Sequence, residues 1–188
     1  MTIDEIFSAL NGHMIEGFMV HSQMSDYFGF LGLDGYQTMH KYHYFEESSN
    51  YKKLGDYYLH HYNKLIIETP FKNPSIIPES WYQYMRHNVN LATRKSATQA
   101  AMEKWVKWEQ DTKQLYEKLY KELIALNEVA AAEELSKYII DVDYELVEAY
   151  QKYIELSAID YDISDIIVEQ EEIKEEYKNK LKEISLVN

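Results

Sequence analysis

Glu47 stands at the centre of a long apolar stripe. A carboxylate there must be paired or bound, because an isolated charge in a core is costly. His43 lies one helical turn earlier on the same stripe, giving His43-x-x-x-Glu47. That spacing puts imidazole and carboxylate on one helix face, where they can share a metal ion. The same two groups can also satisfy each other as a buried hydrogen bond, the commoner fate of an inward histidine. His21, at the middle of the preceding segment's stripe, offers a further inward imidazole. His40 with His43, and His60-His61, are spaced too loosely to define a site. Asp141-x-Asp143-x-Glu145 lacks the glycine and spacing of a calcium loop. There is no glycine-rich phosphate loop and no nucleophile elbow.

The elements that must position these residues are helices. Only 6 Gly and 3 Pro punctuate 188 residues, which favours long helical runs. At about 100° per residue the apolar positions form five stripes. The spacing predicts helices over residues 3–31, 36–67, 96–126, 131–158 and 164–184, in one domain spanning 1–188. Gly32-Leu33-Asp34-Gly35 reads as a tight turn, so the first two helices form an antiparallel hairpin. A crossover over residues 68–95 holds all three prolines, with a short helix expected near residues 80–90. The last segment carries a narrow seam, Ile167, Gln170, Ile173, Tyr177, Leu181 and Ile184, suited to a partner or to the bundle. Two hairpins, a crossover and an extra C-terminal helix describe an all-α four-helix bundle.

Composition removes several chemistries. With no cysteine, disulfides, thiolate catalysis, iron–sulfur clusters and Cys-ligated zinc are excluded. Met1-Thr2-Ile3-Asp4-Glu5 has no positive region followed by an apolar run, and nowhere do 18 apolar residues run together. A cytoplasmic protein without membrane contact is expected. Net charge is −13, and residues 133–188 hold 16 acidic against 6 basic residues. Direct binding to a nucleic-acid backbone is not expected of such a chain. The charge could attract cations, bind a basic protein partner or mimic nucleic acid, although solvated helix faces alone account for it most simply.

Met24-Ser25-x-Tyr27-Phe28, Leu33-x-Gly35, Glu46-Glu47 and Asp56-Tyr57 occur in one register. In that register the segment resembles the first two helices of non-haem bacterial ferritins. Trp108-Glu109-Gln110 is similar to the family's third-helix motif, and Leu135 to Glu145 to part of its fourth helix. The resemblance implies a ferritin-like bundle that holds iron or manganese in its core, with weak ferroxidase activity and homo-oligomeric assembly. It makes Glu47 the second-helix glutamate ligand, Glu109 the third-helix one, and Glu145 the later fourth-helix one. Asn50, Val142 and Met14 stand where the family has its other ligands, so the set is depleted. Glu16 is the nearby carboxylate of the first helix, roughly 110° from its stripe centre. The expected metal ligands are therefore Glu47, Glu109, Glu145, His43 and Glu16.

A second function class fits the charge. A metal-free acidic helical protein, of the kind mobile elements use as inhibitors, would occupy the positive surface of a basic or nucleic-acid-binding partner. Glu171, Glu172, Glu175 and Glu176 would carry that contact, and no cofactor would be needed. A third reading is a structural dimer through the Ile167–Ile184 seam.

Overall fold

Thr2 starts the first helix with a capping box: its side chain accepts from the Glu5 N–H, and Glu5 accepts from the Thr2 N–H. A computed structural model describes residues 1–66 and 90–187. Among these residues the chain forms α1 (Ile3–Leu31), α2 (Asp34–Tyr62), α3 (Leu91–Ala125), α4 (Val129–Ala158) and α5 (Ile163–Val187). The expected crossover as far as residue 89, including its prolines and short helix, lies outside the described residues.

α1 and α2 form an antiparallel hairpin. Ser25 donates to the Gln37 carbonyl near the turn, and Tyr58 donates to Asp4 at the far end. α3 and α4 form the second hairpin, tied by Lys113–Asp143 at 2.5 Å. α2 stops earlier than its apolar spacing predicts. Asn63 turns left-handed at φ 53° and ties its N–H to the Leu59 carbonyl. α3 begins five residues before Ser96, because the Asn90 side chain caps it by accepting from the Thr93 N–H at 2.9 Å.

α5 lies against the α2 and α4 flank and packs mostly on α2. Gln170, Ile173 and Tyr177 are buried there, so much of the seam that suggested a dimer contact is taken up within the chain. Ile167 is 58 % exposed, and its neighbour Ile166 points inward instead. The backbones meet at Gly35, where an added Cβ would fall 2.5 Å from the Gln170 carbonyl oxygen. The Tyr36 N–H donates to the Gln170 side chain at 3.0 Å beside it. Gly35→Ala is therefore expected to destabilise the fold by about 1–3 kcal/mol through overpacking. That outweighs the roughly 1 kcal/mol of helix propensity it gains. Urea unfolding checks this, and an unchanged or raised midpoint would mean that α5 does not press on Gly35.

The core is split into two apolar clusters. One gathers Met24, Phe28, Tyr36, Met39, Trp105 and Ala149 with the inner face of α5. The other gathers Phe7, Met14, Leu54, Tyr116, Leu135 and Val142. Near the junction of the two clusters each bundle helix carries buried polar residues. They include His21 on α1, His40, His43, Glu47 and Asn50 on α2, Glu109 and Thr112 on α3, and Glu145 on α4. A polar belt thus crosses the bundle at mid-height.

Candidate metal centre

Among the described residues, two groups of potential ligands lie at the belt, and Glu145 belongs to both. In the first, His21, Glu109 and Glu145 bring one ligand atom each within 4.8 Å of one another. His21 Nε2 stands 3.5 Å from Glu109 Oε1, which also accepts from Trp105 Nε1–H at 3.0 Å. In the second, His43, Glu46 and Glu145 do the same. His43 Nδ1 lies 3.5 Å from Glu46 and 3.8 Å from Glu145, and its Nε2 lies 3.3 Å from Glu148. Neither His43 nitrogen has an aligned hydrogen bond, and each faces carboxylate oxygens at ion-pair distance.

The two groups differ in protonation. Burial holds His21 and His40 well below the ordinary histidine range, and the charge of His43 adds to this, so both are neutral. Burial alone would lower His43 too, but Glu145, Glu148 and Glu46 outweigh it and hold His43 well above that range. Burial would raise Glu46 and Glu148, yet His43 and the hydroxyls of Tyr42 and Tyr177 hold both below the usual carboxylate range. Glu47 and Glu109 are pushed well above it, first by burial and then by the charge of Glu145. Glu145 is raised by burial against the pull of His43.

His43 is thus an imidazolium set among carboxylates, a built-in cation where a metal would sit. Burial and the charge of Glu145 hold Glu109 and Glu47 towards their protonated forms. A cleft of about 300 Å³ between α2, α4 and α5 opens onto His43, Glu46 and Glu145. Tyr42, Tyr177 and Lys180 stand at its wall, with the Lys180 ammonium 4.0 Å from the Tyr177 ring centre.

The structure gathers Glu109, Glu145 and His43 into these groups. Glu47 is buried in the same belt but outside both, with its carboxyl pressed on α1 at Gly17. A Cβ on Gly17 would lie 3.1 Å from Glu47 Cδ. Glu16 is not gathered in. It is partly exposed and faces His13 Nδ1 at 3.9 Å, as its position far from the stripe centre dictates. Burial lowers His13 to about 4, so that contact holds no ion pair at neutral pH. Glu46 and Glu148 lie beside the stripes rather than on them, and sequence reasoning missed both. His40, set aside for its loose spacing from His43, is wholly buried and bonded to His21.

No protein family's sequence profile and no curated protein sequence matches the chain. Solved structures do match in shape. A humanized archaeal ferritin superposes with a TM-score of 0.75 at 18 % identity, over 91 % of this chain and 94 % of that one. An engineered closed form of the Archaeoglobus fulgidus ferritin gives 0.75 at 16 % identity, over 93 % and 96 %. The open-pore ferritin of the same hyperthermophilic archaeon gives 0.73 at 16 % identity, over 90 % and 93 %. The fold of this chain is a ferritin-like four-helix bundle.

Proposed function

We propose that this ferritin-like chain binds iron, or manganese in its place, in the polar belt, and that it supports weak oxidation of iron(II) there. One observation carries the reading: imidazoles and carboxylates from all four bundle helices converge in two groups joined by Glu145. The residues also fit such a metal. His21 Nε2, both His43 nitrogens, Glu109 Oε2 and Glu145 Oε2 are buried and have no hydrogen-bond partner. Buried polar atoms left this way are costly unless something satisfies them. Carboxylate oxygens with two imidazoles suit iron and manganese better than a soft metal.

His21, Glu109 and Glu145 would hold one ion, and His43, Glu46 and Glu145 a second, with Glu148 and Glu47 at the margins. Iron bound there supplies one-electron chemistry with oxygen. The protein's own part is protonic and steric. His21 presents a neutral ring, Glu109 and Glu47 give up their protons, and His43 gives up its charge. The tyrosine-walled cleft admits small species to His43 and Glu145 while the apolar clusters exclude water from above and below. The centre sits where His21 and His43 are, rather than around the depleted positions Met14 and Asn50. Assembly into a homo-oligomer belongs to the same reading, by analogy of fold.

Elemental mass spectrometry on untagged protein, loaded anaerobically with iron(II) and desalted, tests the proposal. About two ions per chain are expected, as in di-metal bundles. Protein that stays metal-free under loading would overturn it. The acidic-partner reading retains its surface, since Glu171, Glu172, Glu175 and Glu176 are all exposed on α5. Glu175 and Glu176 are already paired with Lys178 and Lys180, however, and the buried groups support the metal reading more directly.

A further inference from the structure

His40 lies outside both ligand groups, yet it determines what one of them can do. Its Nδ1 is 3.1 Å from Nδ1 of His21, and both rings are wholly buried. A hydrogen bond between two such nitrogens needs a proton on one and a lone pair on the other. The other nitrogen of His21, Nε2, faces Glu109 and belongs to the group completed by Glu145. A neutral imidazole ligates through its bare nitrogen, so ligation through Nε2 puts the His21 proton on Nδ1, directed at His40. His40 then accepts through Nδ1 and carries its own proton on Nε2. The opposite arrangement puts a proton on His21 Nε2, aims it at Glu109, and closes the ligand position.

The ring of His40 is held where it can do this. Phe28 stacks on it with ring centres 5.2 Å apart and planes 3° from parallel. Trp105 meets it edge-on at 4.7 Å and 74°. The same Trp105 donates to Glu109, so one side chain steadies both the ligand and the group behind the ligand.

We propose that His40 is a positioning residue that accepts the Nδ1–H of His21 and so keeps His21 Nε2 open as a metal ligand. The inference rests on the metal reading of the His21–Glu109–Glu145 group. Metal-binding histidines ordinarily give their second N–H to a carboxylate, a carbonyl or water. Here a second imidazole takes that place.

The test uses zinc(II), a diamagnetic probe, on the full chain. His40→Leu removes the acceptor at similar bulk and is expected to weaken zinc binding about 10- to 100-fold. His40→Asn keeps an acceptor near the Nδ1 position and is expected to stay within a few-fold of the wild type. Nitrogen-15 NMR of the zinc-loaded wild type should show His21 protonated at Nδ1 and His40 at Nε2. Undiminished zinc binding by a folded His40→Leu variant would overturn the proposal, and so would a His21 ring protonated at Nε2 in the loaded state. If His40→Leu fails to fold, the NMR assignment and His40→Asn decide alone, an Asn variant as weak as a ligand deletion counting against the proposal. A wild-type protein that binds no zinc removes the metal reading and this proposal together, whereas normal binding with an indifferent His40 removes only the proposal.

Discussion

Replacing Glu145 by Gln is expected to empty the whole centre, not half of it. Glu145 is the only residue common to both ligand groups, and it also lines the cleft beside His43 and Glu46. Gln keeps the size of the side chain but loses the charge that balances a metal. Affinity should fall by more than roughly 100-fold, beyond what supporting residues typically cost. His21→Ala and Glu46→Gln touch one group each and should remove one equivalent while leaving the other. Equilibrium dialysis with manganese(II) reads the three stoichiometries directly. A Glu145→Gln protein that still takes up two ions would show that the groups are independent, and the shared-carboxylate reading would be lost.

Glu109→Gln should separate stability from binding. The folded protein holds Glu109 well above its ordinary value, so the folded state binds a proton that the unfolded state has released. Stability then falls as pH rises from about 4.5, the ordinary glutamate value, towards the folded value. Glu47 acts in the same direction. His43, raised by its carboxylates, stabilises fully below the ordinary histidine value and loses that contribution as pH rises through its folded value. All three groups therefore make the metal-free protein less stable at neutral and basic pH than under mildly acidic conditions. Gln at position 109 keeps the Trp105 hydrogen bond and removes one of these groups. At neutral pH it should raise the Tm of metal-free protein by about 2–8 °C, corresponding to roughly 1–2 kcal/mol. The same variant should lose zinc or manganese uptake in its group. Scanning calorimetry across pH checks the sign, and an unaltered pH slope would mean that Glu109 ionises freely in the fold.

The bundle was legible because its information is local. The turn at Gly32 and the apolar spacing along α1, α3 and α4 are properties of neighbouring residues. Where the spacing misled, a single backbone conformation overrode it. The spacing carries the second helix to residue 67 on paper, but Asn63 has already turned the chain. Glu47 could be found because it interrupts an apolar face, whereas Glu109 and Glu145 could be reached only through the resemblance to ferritins. Glu46 and Glu148 could not, since they matter only through His43 and the cleft that α5 walls, and the position of α5 is a long-range fact. His40 was hidden for a related reason: its partner lies on a different helix. One signal was present and unused: buried polar residues on all four bundle helices gather near the junction of the two apolar clusters, at one level of the bundle.

That shared height has a consequence for folding cooperativity. A continuous core welds a bundle into one melting unit, because each apolar contact is strengthened by the contacts above and below it. Here the two apolar clusters are joined through a layer of buried polar residues, several of whose ring nitrogens and carboxylate oxygens have no hydrogen-bond partner. Every bundle helix has to cross that waist. An ion held there would act less as an ornament in a finished fold than as the rivet that makes two half-bundles unfold as one.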